Sequence, residues 1–200
     1  MNGVLSFIFV FRRNKILVFD IETLGSAANS VIASAGIVYV DKGRRQSYDD
    51  LIHEGLFVKF NVEYQIKQLH RKVESETVEW WQKQHKSIRD YSLRPQPTDL
   101  TPEEGLDALS DYIKTHKSDT IWTRGSLDQF CIDDLAKQVG HELIANYNMY
   151  RDVRTAIDIF TGSTNGYCDV DFPGFERHNV IKHNPVHDCA YDAMMLVYGK

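Results

Sequence analysis

A chain of 200 residues with 42% hydrophobic and 26% charged residues has the size and balance of one globular domain with its own core, which excludes disordered, collagenous and membrane-spanning classes. Its net charge of −5 argues against a broad phosphate-binding surface, but not against a carboxylate-lined site in which metal ions supply the positive charge. Three cysteines, Cys131, Cys168 and Cys189, lack CxxC spacing and are odd in number, so neither a disulfide framework nor a zinc ribbon is expected and a reducing, cytoplasmic location is.

In chain order, residues 4–11 form a short apolar run followed, rather than preceded, by arginines. That is too short to span a bilayer and wrongly flanked for a signal peptide. Residues 1–14 are therefore read as an N-terminal extension or added edge strand, ahead of a domain over 15–200, and no membrane partner is expected. Residues 16–19 open a strand that ends in DIETLG. Alternation puts Ile16, Val18, Asp20 and Glu22 on one face and Leu17, Phe19 and Ile21 on the other. Two carboxylates about 6–7 Å apart on a face that begins as core repel and resist desolvation unless a cation lies between them. The alternative is a strand emerging into solvent at Asp20.

Residues 30–41 and 55–61 read as second and third strands of an antiparallel meander, joined by a polar turn. Residues 75–84 read as a helix whose Trp80 and Trp81 face different directions and are expected in the core rather than as base platforms. Thr101 as N-cap, Pro102 at the first helical position and early acids mark a helix over 101–116. A short strand over 119–125, a helix over 126–140, a strand over 145–150 and a helix over 151–162 follow. Residues 163–182 read as irregular, and a last helix spans 188–198. The pattern is α/β, with a mixed five-stranded sheet flanked by helices.

The last helix is apolar apart from Asp192, which shares a face with Cys189, Met195 and Leu196. An ionised carboxylate there needs a metal or an arginine partner. Asp128 opens the stripe Asp128, Cys131, Ile132, Leu135 and Val139, and is favoured over Asp133 and Asp134 as a functional acid, or else serves the helix dipole. His187, five residues before Asp192, is expected just outside the helix, with Asp188 as N-cap. A zinc site from His183, His187 and Cys189 or Cys168 has no recognised ligand spacing.

Asp20-x-Glu22 on the first strand, Asp128 on a middle helix and HDCAYD from His187 to Asp192 together resemble the DEDD exonucleases, in the branch that carries a histidine; Asp188 stands where the other branch has tyrosine. The stretches DIETLGS, AANSVIASAGIVYVD, ETVEWWQKQ, WTRGSLDQF, RDVRTAI and HDCAYDAMML are similar to the exonuclease A (DexA) proteins of T-even phages and related bacterial exoribonucleases. One departure is Leu127, where many members have phenylalanine.

The resemblance implies a ribonuclease H-like fold and a 3′–5′ exonuclease that releases nucleoside monophosphates from the 3′ end of single-stranded nucleic acid, DNA favoured over RNA. It implies two Mg²⁺ or Mn²⁺ ions held by Asp20, Glu22, Asp128 and Asp192, with His187 taking the proton of the attacking water. Leu24 stands where relatives wedge an apolar side chain against the terminal base, with backbone groups of Thr23 and Gly25 nearby, and Arg124 is expected to hold a phosphate. A monomer or homodimer is expected, in the cytoplasm of a bacterial host if the chain is phage-encoded. The rival readings are an exoribonuclease of the same fold and mechanism and an inactive nucleic-acid-binding homologue.

Overall fold

The structure is a computed structural model that describes residues 15–200, so the extension expected over residues 1–14 lies outside the described residues. Among the described residues five strands, β1 (Lys15–Thr23), β2 (Ile32–Asp41), β3 (Leu56–Lys59), β4 (Ile121–Thr123) and β5 (Tyr150–Asp152), form one sheet in the order β3-β2-β1-β4-β5. β1 to β3 pair antiparallel, as the meander predicts, while β4 pairs parallel to β1 and β5 parallel to β4. The fifth strand starts later than expected, because Tyr147–Met149 close into a 3₁₀ turn.

The helices are α1 (Tyr48–Glu54), α2 (Val62–Lys67), α3 (Ser75–Gln82), α4 (Lys86–Ser92), α5 (Pro102–His116), α6 (Leu127–Gln138), α7 (Val153–Thr161) and α8 (Pro185–Tyr198). The strand period of β1 sorts its side chains as expected. Leu17, Phe19 and Ile21 join a core with Leu106 and Leu109 of α5 and Ile132 and Leu135 of α6. Ile16 and Val18 join a second core with Leu51 of α1, Ile157 of α7 and Met194 of α8. Asp20 and Glu22 therefore emerge on the α8 side of the sheet.

Two local features bring α8 to the acids. Asp20 pairs in register with Gly36 of β2, and a Cβ on Gly36 would lie 2.3 Å from the Pro185 carbonyl carbon and 2.4 Å from the Val186 nitrogen. Only a residue without a side chain lets the first turn of α8 lie this close to β2. That helix also starts a turn earlier than the sequence suggests. Its cap is Asn184, whose Oδ1 accepts from the Val186 and His187 amides at 3.2 and 3.5 Å, and Pro185 takes the first helical position. His187 thus sits inside the first turn, not on a loop before it, and Asp188 does not cap the helix.

Candidate active site

The acids converge where β1 ends. Asp128, in the first turn of α6, reaches under the strand, its Oδ1 accepting from the Ile21 amide at 3.3 Å. Across from β1, α8 brings Asp188 and Asp192. A cavity of about 300 Å³ is lined by Asp20, Glu22, Asp188 and Asp192, with His183 at its edge. Asp128 is buried beside it, whereas Asp134 is drawn away into an ion pair with Arg71 at 2.8 Å.

The cluster is short of positive charge. Burial, then repulsion from Asp128, Glu22, Asp188 and Asp192, holds the Asp20 carboxyl well above the usual carboxylate range. Glu22 is raised by burial and then by Asp188 and Asp128. Burial also pushes Asp128 and Asp188 up to about 7, against the hydrogen bonds each accepts from a backbone amide. Crowded carboxylates in this condition are stabilised by a cation. Glu22, His183 and Asp188 each present a ligand atom within 4.8 Å of the others, and the oxygen-rich donor set suits a hard ion such as Mg²⁺ or Mn²⁺.

His187, the expected proton acceptor, is not among the residues lining the cavity. Its Nδ1 lies 2.8 Å from the Tyr48 hydroxyl, and the two rings meet edge to face. His183 lines the cavity instead. Its backbone is in the left-handed region, φ 62°, where a non-glycine residue needs support. That support is a hydrogen bond from the His183 amide to Asp188 Oδ2 at 2.7 Å and one from the Ser92 hydroxyl to the His183 carbonyl at 2.8 Å. Trp80 and Trp81 pack edge-on against the imidazole, at 4.8 and 6.1 Å between centroids. Burial, and secondarily Lys182, pushes the imidazole below its ordinary value. The signal for this pair was in the sequence: His183 and Asp188 have the same separation as His187 and Asp192, so HNPVHDCAYD contains two overlapping copies of one spacing.

Other expected residues take different places. Asp192 lines the cavity, but both its oxygens accept from Arg124 Nε at 3.1 Å, and Arg124 Nη2 also pairs with it. Arg124 further donates to the Gly166 carbonyl at 2.9 Å and stacks over Tyr167, so this guanidinium is already engaged by the protein rather than free for phosphate. Thr23, Leu24 and Gly25 do not line the cavity. The Leu24 amide donates to Val31, its carbonyl accepts from Glu74, the Thr23 hydroxyl donates to the Gly25 carbonyl and the Thr23 carbonyl accepts from Trp81 Nε1, which leaves those groups bound within the fold. Of the tryptophans, Trp81 is in the core at 2% exposure, as expected, while Trp80 is 40% exposed.

Comparison with known proteins identifies the family and the fold. The model of the 3′-5′ exoribonuclease Rv2179c-like domain matches residues 15–198. The exodeoxyribonuclease of Enterobacteria phage T4 is 25% identical over 202 residues, covering 91% of this chain and 87% of that protein. Among solved structures, product-bound exonuclease I superposes with a TM-score of 0.57 at 11% identity, over 92% of this chain and 43% of that one, so the chain spans less than half the length of that relative. The Mg²⁺- and Mn²⁺-bound form of S. pombe Pop2p superposes with a TM-score of 0.55 at 11% identity, over 92% of this chain and 82% of that one. The chain belongs to the 3′-5′ exoribonuclease Rv2179c-like domain family, a 3′–5′ exonuclease family of ribonuclease H-like fold.

Proposed function

We propose that this chain removes nucleoside monophosphates one at a time from the 3′ end of single-stranded DNA, using divalent metal ions held by Asp20, Glu22, Asp128 and Asp188. The observation that carries this reading is the convergence of those buried or half-buried carboxylates, three of them lining one cavity, with the pKa of each raised by removal from water. When bound there, two Mg²⁺ or Mn²⁺ ions supply activation of the attacking water and stabilisation of the leaving 3′ oxygen. Asp188 takes the ligand role that the sequence alone suggested for Asp192, because Asp192 is neutralised by Arg124.

His183 takes the role expected of His187. Its depressed basicity keeps the ring neutral near pH 7, so one ring nitrogen is available to accept the proton of the attacking water. The Ser92 and Asp188 bonds to its backbone, with the tryptophans against its ring, hold that nitrogen at the cavity edge. Asp192 and Arg124 serve as a fixed ion pair in the wall.

DNA is favoured by the T4 exodeoxyribonuclease, which matches along nearly its whole length. RNA is a second reading, favoured by the family's description. Matched single-stranded DNA and RNA oligonucleotides, labelled at the 5′ end and incubated with Mg²⁺, distinguish them: a ladder shortening from the 3′ end is expected, faster on DNA. Internal cuts, or no cleavage of either strand, would overturn the reading.

A further inference from the structure

The cavity has a second chemical character, supplied by the segment between α7 and α8. Arg177 and Lys182 from that segment line it alongside the acids. Both are exposed, and among the described residues neither forms a salt bridge. This sets them apart from Arg124, whose charge is matched by Asp192. The Arg177 guanidinium lies 5.8 Å from the ring centroids of both Tyr167 and Tyr191, and the Tyr191 ring stacks on Phe175 at 5.9 Å with an interplanar angle of 11°. Tyr191 is 5% exposed and lines the same cavity, yet its hydroxyl is buried with no hydrogen-bond partner. Buried hydroxyls are normally paired. This one lacks an acceptor, beside two cations that form no direct ion pair with the acids across the cavity.

We propose that Arg177, Lys182 and Tyr191 form a phosphate subsite that holds one backbone phosphate of the single-stranded substrate by charge and by a neutral hydroxyl donor, without help from the metal ions. A planar guanidinium, a mobile ammonium and a hydroxyl together offer the several donors that a phosphodiester's oxygens accept. The subsite also accounts for how a chain of net charge −5 draws a polyanion to a cavity lined with acids: the attraction is local, on one wall. The proposal rests on the exonuclease reading above, and the test separates the two.

Binding of a short oligothymidylate labelled at its 5′ end is followed by fluorescence anisotropy in excess EDTA across a salt series, and cleavage of the same probe is followed with Mg²⁺. Arg177→Gln and Lys182→Gln are each expected to weaken binding and to reduce the slope of log affinity against log salt, by about 0.7 when the two are combined, the release for one single-strand phosphate contact. Tyr191→Phe is expected to weaken binding on the order of threefold to tenfold with the slope unchanged, because it removes a donor and no charge. The two charge variants replace exposed side chains, so their folding is not at stake. If the parent cleaves the probe with Mg²⁺ while both charge variants keep its affinity and salt slope, the subsite is wrong and the nuclease reading stands. The subsite is equally wrong if the parent cleaves but has no measurable affinity in EDTA. A parent that neither binds nor cleaves removes the exonuclease reading, and the subsite with it.

Discussion

The Ser92 hydroxyl donates to the His183 carbonyl at 2.8 Å across 91 residues of sequence, tying the end of α4 to the backbone that presents the imidazole. Ser92 is fully buried, and the carbonyl it holds belongs to a residue at φ 62°. Ser92→Ala is expected to reduce kcat by about threefold to tenfold, the range for one lost neutral hydrogen bond, with little change in KM. In a His183→Ala background the same substitution should cost nothing further. A single-turnover double-mutant cycle measures this, and additive losses would show that Ser92 acts through stability alone.

The two histidines separate cleanly. His183→Ala is expected to lower kcat by roughly 10²- to 10⁴-fold, as for a lost general base. His187→Ala should leave kcat within a few fold and instead lower the melting temperature, since it removes one of the Tyr48 hydroxyl's partners, at 2.8 Å. Single-turnover rates at saturating Mg²⁺ decide between them; a collapse in the His187 variant alone would return the proton to that residue.

Metal-free stability should fall as pH rises. Asp128 and Asp188 have folded-state values near 7 against an ordinary 3.8, so between those values the folded state binds more protons than the unfolded state and stability drops with increasing pH. The depressed values of His116, His183 and His187 act in the opposite sense below their ordinary 6.5, against the raised values of Asp20, Glu22, Asp128, Asp188 and Asp192. In EDTA the protein is expected to melt higher at about pH 5.5 than at about pH 8, and Asp188→Asn should shrink that difference and raise the melting temperature at the higher pH. Saturating Mg²⁺ should largely erase the dependence. A flat metal-free profile would mean that the carboxylates are not crowded in solution.

Asp192 is expected to behave differently from Asp188. Its side chain and that of Arg124 are 11% and 14% exposed, so Asp192→Ala leaves a largely buried guanidinium unpaired and should cost about 3–5 kcal/mol. Removing Arg124 as well should recover part of the loss. Urea unfolding in EDTA measures both. A stability gain in the single variant would place Asp192 among the metal-holding acids instead.

Gly36→Ala places a methyl group within 2.4 Å of the α8 backbone, where no flexible side chain can yield. Overpacking of this kind typically costs about 1–3 kcal/mol. Since Asp20 pairs with Gly36 and α8 carries Asp188, the helix should shift away from the strand and activity should drop with stability. Full activity in a destabilised variant would show that the spacing between β1 and α8 tolerates the shift.

Much of the fold was legible because its signals were local and periodic. The two-residue alternation of β1 predicted which side chains meet α8, and the apolar stripe of α6 predicted Asp128 at its buried edge. α1, α2 and α4 are only 7, 6 and 7 residues long, too short for helical periodicity to register, although Ser47 and Asp50 form a capping box for the first. The choice between His183–Asp188 and His187–Asp192 was not legible from spacing, since both pairs have it. It depends on where α8 begins, and on Gly36 and Asn184, whose effects are tertiary. Trp80 and Trp81 illustrate the same limit: neighbours on a helix diverge by about 100°, and only the packing of α3 decides which one is buried.

The acids come from β1, α6 and α8, whereas Tyr167, Arg177, Lys182 and His183 all come from the irregular stretch between α7 and α8. The carboxylates proposed to hold metal and the cations proposed to grip the strand thus come from different kinds of chain, with the proposed proton acceptor His183 at the end of the irregular one. Regular elements locked by two cores cannot vary in length without misplacing a carboxylate, but a connecting segment tolerates insertion and substitution far better. Exchanging residues 163–182 between homologues is therefore a direct way to change which polynucleotide is held, or how far along it, while the hydrolytic centre stays as it is.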